Sequence, residues 1–321
     1  MVLAGAVTLA VGCAGDSSGG PPAATTPSEV EAVSTIAPTQ PSPVSIVPDS
    51  TVEPVCRESS TKPSTFAYAD RPGVDPNLTS VDVYVPAGCG PAPVVMWVHG
   101  GGWRRGDKAG GNVERKAVWA ESLGAALVSV NYRLSTPGSG VMWPDHGDDV
   151  AAAIAWVQSA GASLGLDPQR VALVGHSAGA HLVSIVGTDP ALLTDVGADP
   201  SRVDCVVALD VDYDLADASG QALITNAFGT DPVVIADASP PIQVERNGAP
   251  PARFLVVTRG GAQRIAKAQG FVDAIGEVDG TAELLDANPY THNEVSSRLG
   301  LPDETLITPP VTAFVNSCLA E

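Results

Sequence analysis

Two glycine-rich turns, about 75 residues apart, constrain this sequence more than any other feature. Residues 99–103 read HGGGW and follow the apolar run Pro93–Val98, whereas residues 175–179 read GHSAG and follow the apolar run Val171–Val174. Short apolar runs of this kind predict buried strands. Ser177 therefore stands between a predicted strand and a segment with helical spacing, with glycines where a strained backbone and close neighbours require them. This arrangement predicts an exposed nucleophile.

The first turn supplies what such a nucleophile needs. Its glycines come at the end of a predicted strand, where backbone N–H groups are free to point at an oxyanion that develops during reaction. Either turn alone is weak evidence, because short glycine and serine patterns arise by chance. Both turns in this order, each after a strand, indicate one reaction centre.

Strand-like and helix-like segments alternate through the rest of the chain. The predicted strands are Thr79–Val85 (half-exposed), Pro93–Val98, Ala125–Val130, Arg170–Val174, Val203–Asp210, Ala252–Thr258 and Thr281–Asp286. The predicted helices are Gly111–Leu123, Asp148–Ala160, Ala178–Gly187, Gln263–Ile275 and Pro310–Leu319. The alternation predicts an α/β fold with a mostly parallel sheet covered on both faces. Catalytic groups then gather at the carboxyl ends of the strands.

On these turns the chain resembles the α/β-hydrolases, specifically the esterases with an HGGGW oxyanion loop. It is similar to hormone-sensitive-lipase-like carboxylesterases and to the bacterial feruloyl and acetylxylan esterases. The likeness covers roughly residues 60–320 and extends through four further segments: Asn131–Leu134, Asp148–Val150, Asp167–Pro168 and Asn226–Gly229. The resemblance implies an α/β-hydrolase fold with no sizeable cap domain. It also implies a serine esterase whose oxyanion hole is formed by the backbone N–H groups of Gly101, Gly102 and Ala178.

The base is found by elimination within the order that this fold requires, in which a histidine follows the serine and the acid. The sequence has five histidines. Four of them precede the serine, adjoin it or lie on the helix leading away from it: His99, His146, His176 and His181. His292 alone lies beyond the last predicted strand, and it is the predicted base. His99 is expected to fix the oxyanion loop by hydrogen bonding.

The acid is less clear. The resemblance places an aspartate in the loop after Ala252–Thr258, but Gln263 stands at that position. An amide cannot stabilise an imidazolium as a carboxylate does. Asp210, at the end of the preceding strand, occupies the position used by a minority of lipases of this fold, and it is the predicted acid. The alternatives that stay open are Asp212 and Asp214 just downstream, and Asp286 and Glu294 close to His292 in sequence.

Composition limits the partners. The 321 residues include 36 Asp plus Glu against 17 Lys plus Arg, a formal net charge of −19. This charge repels nucleic acid and anionic membranes, so a neutral ester is the expected substrate. Cysteine and histidine spacings that bind metals are absent from the sequence, and neither a metal nor a cofactor is expected.

The N-terminal part differs in composition. Residues 1–12 form a short apolar stretch that resembles a lipoprotein signal, with Cys13 as the lipid acceptor. The alternatives are unlipidated secretion and a merely apolar N-terminus, and a start codon further upstream is a third possibility left open. Residues 13–54 are rich in Ser, Thr and Pro and predict a flexible tether without a helical cap. Residues 55–321 form the predicted catalytic domain, exported and held at the outer face of the bacterial membrane or secreted.

Four further cysteines remain, an even number in a chain that we expect to be exported. We expect the pairs Cys56 with Cys89 and Cys205 with Cys318, although buried free thiols are the alternative because free cysteine is frequent in protein cores.

Three functions are open at this stage. The first is a serine carboxylesterase that hydrolyses short-chain or accessible esters through an acyl-enzyme. The second is an amide or formamide hydrolase of the same fold. The third is a non-catalytic surface protein that retains the fold and binds a ligand, which the glutamine at position 263 favours.

Overall fold

An eight-stranded sheet lies at the centre of the chain, with strand order β10-β9-β8-β7-β5-β6-β3-β2. The computed structural model describes residues 56–59, 62–213, 215–216 and 221–320. The strands are β1 Cys56–Arg57, β2 Ser64–Ala67, β3 Ser80–Tyr84, β4 Gly88–Cys89, β5 Ala92–Val98, β6 Ala126–Val130, β7 Leu166–His176, β8 Val203–Leu209, β9 Arg253–Thr258 and β10 Ala282–Asp286. Strands β1 and β4 form a separate antiparallel pair.

The helices follow the strands in alternation. They are α1 Val113–Ser122, α2 Asp145–Ala160, α3 Ala178–Thr188, α4 Pro190–Thr194, α5 Ala222–Phe228, α6 Pro232–Asp237, α7 Pro240–Asn247, α8 Ala262–Glu277, α9 His292–Ser297 and α10 Thr308–Leu319. Single turns of 3₁₀ helix occur at Pro76–Thr79, Gly161–Leu164 and Pro200–Arg202.

The six strands from β6 to β10 along the sheet run parallel, and β3 pairs antiparallel with both β6 and β2. Parallel strands joined by helices bring the carboxyl ends of β5, β7, β8 and β9 to one edge. Groups that follow these four strands in sequence can therefore meet in space.

The core has two layers because side chains alternate across a strand. In β5, Val94 and Met96 pack on one side with helices α2, α3 and α8, whereas Val95 and Trp97 pack on the other side with α1 and α10. This burial on both faces is the reason that the central strands are almost entirely apolar.

The structure confirms the seven predicted strands and the five predicted helices within a few residues. The expected exposure of the first strand is wrong. Every residue of β3 is buried, because both faces of the strand are covered: Val81 and Val83 pack in one core layer and Tyr84 packs in the other. Its one charged side chain, Asp82, accepts a hydrogen bond from Thr65 Oγ1 at 2.6 Å and lies 3.7 Å from Lys108 Nζ.

The cysteine predictions are half right. Cys56 and Cys89 face each other across β1 and β4 and form a disulfide. The expected bond between Cys205 and Cys318 is wrong, because both are buried free thiols. They are neighbours in the layer between β8 and α10, where the Cys205 thiol donates a hydrogen bond to Cys318 and burial raises its pKa. The two residues act as small core side chains.

The predicted leader at residues 1–12, the lipid acceptor Cys13 and the tether at residues 13–54 lie outside the described residues. Within the described part of the chain, no helix combines the length and the apolar character needed to cross a bilayer.

Candidate active site

Ser177 lies on a sharp turn between β7 and α3. Its backbone has φ 55° and ψ −121°, a conformation that costs an L-residue strain and that holds the side chain out of both elements. The glycines of the turn are required by close approach. A Cβ on Gly175 would lie 2.3 Å from the Gly179 carbonyl oxygen, and a Cβ on Gly179 would lie 2.1 Å from the Val98 carbonyl oxygen. The GHSAG pattern is therefore a packing requirement for presenting the hydroxyl.

A chain of two hydrogen bonds leads from this hydroxyl to a carboxylate. The distance from Ser177 Oγ to His292 Nε2 is 2.9 Å, and that from His292 Nδ1 to Asp210 Oδ2 is 2.7 Å. A carboxylate accepts, so Nδ1 carries the proton and Nε2 is left to accept from the serine hydroxyl. The structure thus brings together the three residues that the sequence indicated, with the ring in the tautomer that can remove a proton from the serine.

Asp210 follows β8 directly. Its backbone is in the left-handed region at φ 52°, and its N–H donates to the Val257 carbonyl at 2.8 Å. The side chain is fully buried. Burial raises the pKa of the Asp210 carboxyl, but the hydrogen bond from His292 and the adjacent guanidinium groups outweigh burial and lower the pKa to about 2. The carboxylate is therefore charged at neutral pH and down to well below pH 4.

Two arginines hold this carboxylate, and sequence reasoning missed both. Arg259 Nε donates to Oδ2 at 2.7 Å, and Arg264 donates to Oδ1 from Nε at 3.0 Å and from Nη2 at 2.8 Å. Both come from the loop after β9 and the start of α8, the region in which the resemblance placed the acid. Gln263 lies between them in sequence and is exposed. No local sequence pattern connects these arginines to Asp210, because 49 and 54 residues separate them from it.

His292 is the first residue of α9, and the helix start fixes its backbone. Thr291 caps the helix with a reciprocal pair of hydrogen bonds to Glu294. His176, next to the serine, donates its Nε2–H to the His292 carbonyl at 2.8 Å, and the two rings lie 4.6 Å apart. Burial, with a contribution from His292, lowers the pKa of His176 to about 4. His176 is therefore a neutral donor that ties the nucleophile turn to the base.

The other end of α9 is held by cations from α1. Arg115 Nη1 donates to the Ser297 carbonyl at 2.5 Å, and Lys116 Nζ donates to the Ser296 carbonyl at 3.3 Å. Cations are favourable at the carbonyl end of a helix. Lys116 is buried over the Trp97 ring, and this burial, with the neighbouring Arg115, lowers its pKa to about 8.

The HGGGW loop runs beside the serine. Gly101 and Gly102 have φ values of 126° and 62°, which side-chain-bearing residues rarely adopt. A Cβ on Gly101 would lie 1.9 Å from the Arg105 carbonyl oxygen. In the described part of the chain, the hydrogen bonds outside helices and strands use the N–H of Ser177 but not those of Gly101, Gly102 or Ala178. These three N–H groups are the ones predicted to form an oxyanion hole.

His99 and Trp103 support this loop from within. Tyr132 Oη donates to the His99 carbonyl at 3.0 Å, and the two rings stack at 4.5 Å. His99 Nδ1 lies 2.8 Å from the Gly100 carbonyl oxygen. Trp103 is buried with its ring edge-on to His181 and Phe228. His99 is therefore placed to fix the loop, as expected, and Trp103 packs the loop onto the body of the protein.

The alternative acids have other partners. Asp212 lies 3.7 Å from Lys267 Nζ, Asp286 accepts from the N–H of Asn288 at 2.9 Å, and Glu294 binds Thr291 and Arg298. Asp214 lies outside the described residues.

The serine opens into a cleft of about 600 Å³. Polar groups line much of the cleft, among them Asn112, Asn293, Ser296 and Ser297, together with the glycines of the oxyanion loop. A separate cavity of about 740 Å³ lies between α6, α7 and α8, and none of the three hydrogen-bonded residues lines it. The polar cleft is therefore the candidate site of reaction.

The chain is similar to known esterases in sequence and in fold. The family model described as BD-FAE, whose members are α/β-hydrolase esterases, matches residues 81–257. Among curated relatives, the "probable carboxylic ester hydrolase" LipM of Mycobacterium tuberculosis is 30% identical over 218 residues, which cover 64% of this chain and 49% of LipM. Esterase LipC of the same organism is 33% identical over 208 residues, covering 59% of this chain and 49% of LipC. The chain thus spans about half the length of these relatives.

Solved structures show the same fold at low identity. A truncated carbohydrate esterase from gut microbiota superposes with a TM-score of 0.66 at 16% identity, covering 81% of this chain and 98% of that one. Thermogutta terrifontis esterase 2, solved after phosphoramylation by tabun, has a TM-score of 0.61 at 19% identity, covering 80% of this chain and 92% of that one.

Proposed function

Because the chain belongs to the BD-FAE family, within the α/β-hydrolase esterases, we propose that it is a serine carboxylesterase that acts through an acyl-enzyme. The observation that carries the proposal is the pair of hydrogen bonds from Ser177 Oγ through the His292 ring to Asp210. A hydroxyl becomes a nucleophile only with a base in reach, and this base is oriented by a buried carboxylate. The esterase relatives support ester hydrolysis as the reaction.

In the proposed mechanism, Ser177 Oγ attacks the ester carbonyl carbon while His292 Nε2 takes the hydroxyl proton. The oxyanion is held by the backbone N–H groups of Gly101, Gly102 and Ala178, and loss of one such donor typically costs about 2.7 to 4 kcal/mol. The carbon–oxygen bond to the alcohol then breaks, and His292 returns its proton to the departing oxygen. Water repeats the sequence and releases the acid. Asp210 stabilises the protonated ring in both halves.

We further propose a preference for short acyl chains or otherwise accessible esters. The helices between β8 and β9 in the described part of the chain are six to eight residues long, and the reaction cleft has a polar lining. A long fatty acyl chain needs a deep apolar channel, and the large apolar cavity is a separate one.

The test is hydrolysis of a p-nitrophenyl ester series from acetate to decanoate, with p-nitroacetanilide as the amide. We expect turnover to be highest with the shortest chains and to be abolished in Ser177→Ala. Ser184→Ala is a matched control, because this buried serine on α3 donates to the Ala180 carbonyl and lies outside the cleft. Turnover that survives Ser177→Ala would reject the mechanism, and faster amide than ester hydrolysis would make the protein an amidase.

For location, we propose export with a lipid anchor at Cys13. The pattern that ends at this cysteine supports the anchor, and the Cys56–Cys89 disulfide agrees with an oxidising compartment. Labelling of cells with an alkyne analogue of palmitate should mark the wild-type protein but not Cys13→Ser. Equal labelling of both would refute the anchor.

A further inference from the structure

The cleft beside Ser177 has a local charge opposite to that of the whole molecule. Of the described residues that line it, the charged ones other than histidine are Arg104, Arg105 and Asp107. The protein as a whole carries a net charge of −19. Two arginines in the reaction cleft of so acidic a protein are not explained by solubility.

The guanidinium groups of these two arginines make no hydrogen bond and no ion pair within the described part of the chain. Arg104 and Arg105 are exposed, and among the described residues no ion pair or side-chain hydrogen bond involves them. Asp107 offsets one of the two positive charges of the cleft, but it pairs with neither arginine, because its carboxylate accepts from Asn77 Nδ2 at 2.8 Å, from Asn131 Nδ2 at 3.0 Å and from the Ala109 N–H at 2.8 Å. The two cations are thus available to a ligand.

The backbone that carries these arginines is fixed at both ends. On one side, Trp103 is buried and its carbonyl accepts from the Ser135 N–H at 2.8 Å. On the other side, the Lys108 N–H donates to Asn131 Oδ1 at 2.6 Å.

Close contacts hold the middle of the same turn. The Arg105 carbonyl oxygen fills the space where Gly101 would carry a Cβ, and a Cβ on Gly106 would lie 2.3 Å from His99 Nδ1. The two arginines therefore project from a preorganised turn that directly contacts the predicted oxyanion loop.

We propose that this cleft selects esters that carry an anionic group, a carboxylate in the first instance, bound by Arg104 and Arg105. The inference rests on the proposed esterase function. Guanidinium groups bind carboxylates through paired hydrogen bonds, which gives direction as well as charge. The net charge of the protein does not oppose this selection at short range, because charges beyond about 8 Å are screened at physiological ionic strength. The net charge of the whole protein led us to expect a neutral substrate, whereas the residues that line the cleft favour an anionic one.

The experiment compares esters that differ only in charge. On the alcohol side the pair is 4-acetoxybenzoate and 4-acetoxybenzamide, and on the acyl side it is monomethyl succinate and methyl succinamate. We expect kcat/KM to favour the carboxylate by about five- to tenfold in at least one pair, as two partly exposed ion pairs would give. The preference should disappear in Arg104→Gln/Arg105→Gln, fall with added salt, and reverse in the double glutamate variant.

Arg246→Gln is the matched control, because Arg246 is an exposed arginine that pairs with Asp237 and lies outside the cleft. In this variant, the ratio of kcat/KM for the carboxylate ester to kcat/KM for the carboxamide ester should equal that of the wild type. A ratio near one in both pairs, or a carboxylate preference that persists in the double glutamine variant, would overturn the inference while leaving the esterase function intact.

Binding to Ser177→Ala separates the two proposals if turnover is absent. Isothermal titration of this variant with 4-acetoxybenzoate should show affinity at least fivefold above that for the benzamide, and Arg104→Gln/Arg105→Gln should remove the difference. Equal affinity for both compounds would overturn the inference whatever the protein hydrolyses. Absence of ester turnover with charge-selective binding intact would reject only the proposed function.

Discussion

Two neighbouring loops at the same edge of the sheet carry opposite charges. The loop after β8 supplies Asp210, fully buried, whereas the loop after β9 supplies Arg259 and Arg264, whose side chains are 27% and 30% exposed. The strands are paired in parallel, with Leu209 beside Val257. Adjacent strands lie about 4.8 Å apart, so a carboxylate on either strand end can reach the same imidazole.

We infer from this difference that the His292 ring needs a carboxylate beside its Nδ1 atom, and that the end of either neighbouring strand can supply it. With the carboxylate on β8, the loop after β9 is free to hold cations, and these cations compensate the cost of burying the carboxylate. The lack of an acid at position 263 favoured a non-catalytic protein. The carboxylate is instead supplied by Asp210, at the end of the neighbouring strand.

The largest effect is expected for Asp210→Asn. The amide keeps the shape but cannot stabilise the protonated ring, so we expect kcat for p-nitrophenyl acetate to fall by about 10⁴-fold. Thermal unfolding and near-ultraviolet circular dichroism would establish that the variant is folded. Activity within tenfold of the wild type would move the acid to another residue.

The pH dependence of the free energy of unfolding should distinguish Asp210 from the buried histidines, because the two kinds of group titrate in different pH ranges. Burial lowers the pKa of His146, His176 and His181 to about 4, so the unfolded chain binds more protons than the folded one between pH 6.5 and 4. Stability then falls as pH falls through this window, by about 3 kcal/mol for each histidine at most. Asp210 has a pKa of about 2, so its protonation lowers the free energy of unfolding only below about pH 4.

Denaturant unfolding monitored by tryptophan fluorescence at pH 7.5, 6.0, 5.0 and 4.5 measures this dependence. We expect the free energy of unfolding to decline over the series, while Asp210 stays charged throughout it. His181→Gln should flatten the decline in proportion to the loss of one titrating group. A free energy that stays constant from pH 7.5 to 4.5 would contradict the assignment of neutral, buried histidines.

A smaller effect is expected for the arginines of the β9 loop. Arg264→Gln removes two hydrogen bonds to Asp210, and we expect kcat to fall by about tenfold, since a charged hydrogen bond contributes about 1.5 to 3 kcal/mol and exposure reduces this. Without these two hydrogen bonds, Asp210 is held less firmly and orients the His292 ring less well. The measurement is kcat for p-nitrophenyl acetate at a fixed pH.

Arg264→Lys keeps the charge but loses the paired hydrogen bonds, so it should recover only part of kcat. A purely structural role for Arg264 would lower the free energy of unfolding but leave kcat of the folded variant unchanged. Arg246→Gln serves again as the exposed control.

The smallest effect is expected for Gln263→Asp, which places a carboxylate where the resemblance predicted one. Gln263 is exposed on the first turn of α8. We expect kcat to change by less than about threefold, as is usual for surface substitutions, and no recovery of activity in the Asp210→Asn background. Recovery in that double variant would show that the two loops are interchangeable.

Much of this structure could be predicted from the sequence. The buried strands are apolar runs, and the two glycine turns are fixed by contacts between neighbouring backbones, so both leave local signals. The elimination that selected His292 and the preference for Asp210 name the groups that the structure joins by hydrogen bonds, although their catalytic roles stay predictions.

The rest depends on contacts between residues distant in sequence. Arg259 and Arg264 lie 49 and 54 residues from Asp210, and no local pattern links them. Cys205 and Cys318 were predicted to form a disulfide because the number of cysteines is even, and an even number says nothing about the distance or orientation of two thiols. The short helices α4 to α7 and α9, each of five to eight residues, were not predicted because they are too brief to show helical periodicity.

The central claim is that Ser177 is activated by His292, and the most direct measurement is the rate at which a fluorophosphonate labels the protein, with the label located by peptide mass spectrometry. The account predicts one label per chain, on Ser177, and a rate at least about 10³-fold lower in His292→Ala. An unlabelled wild-type protein, a label on another residue, or equal rates in the two proteins would contradict it.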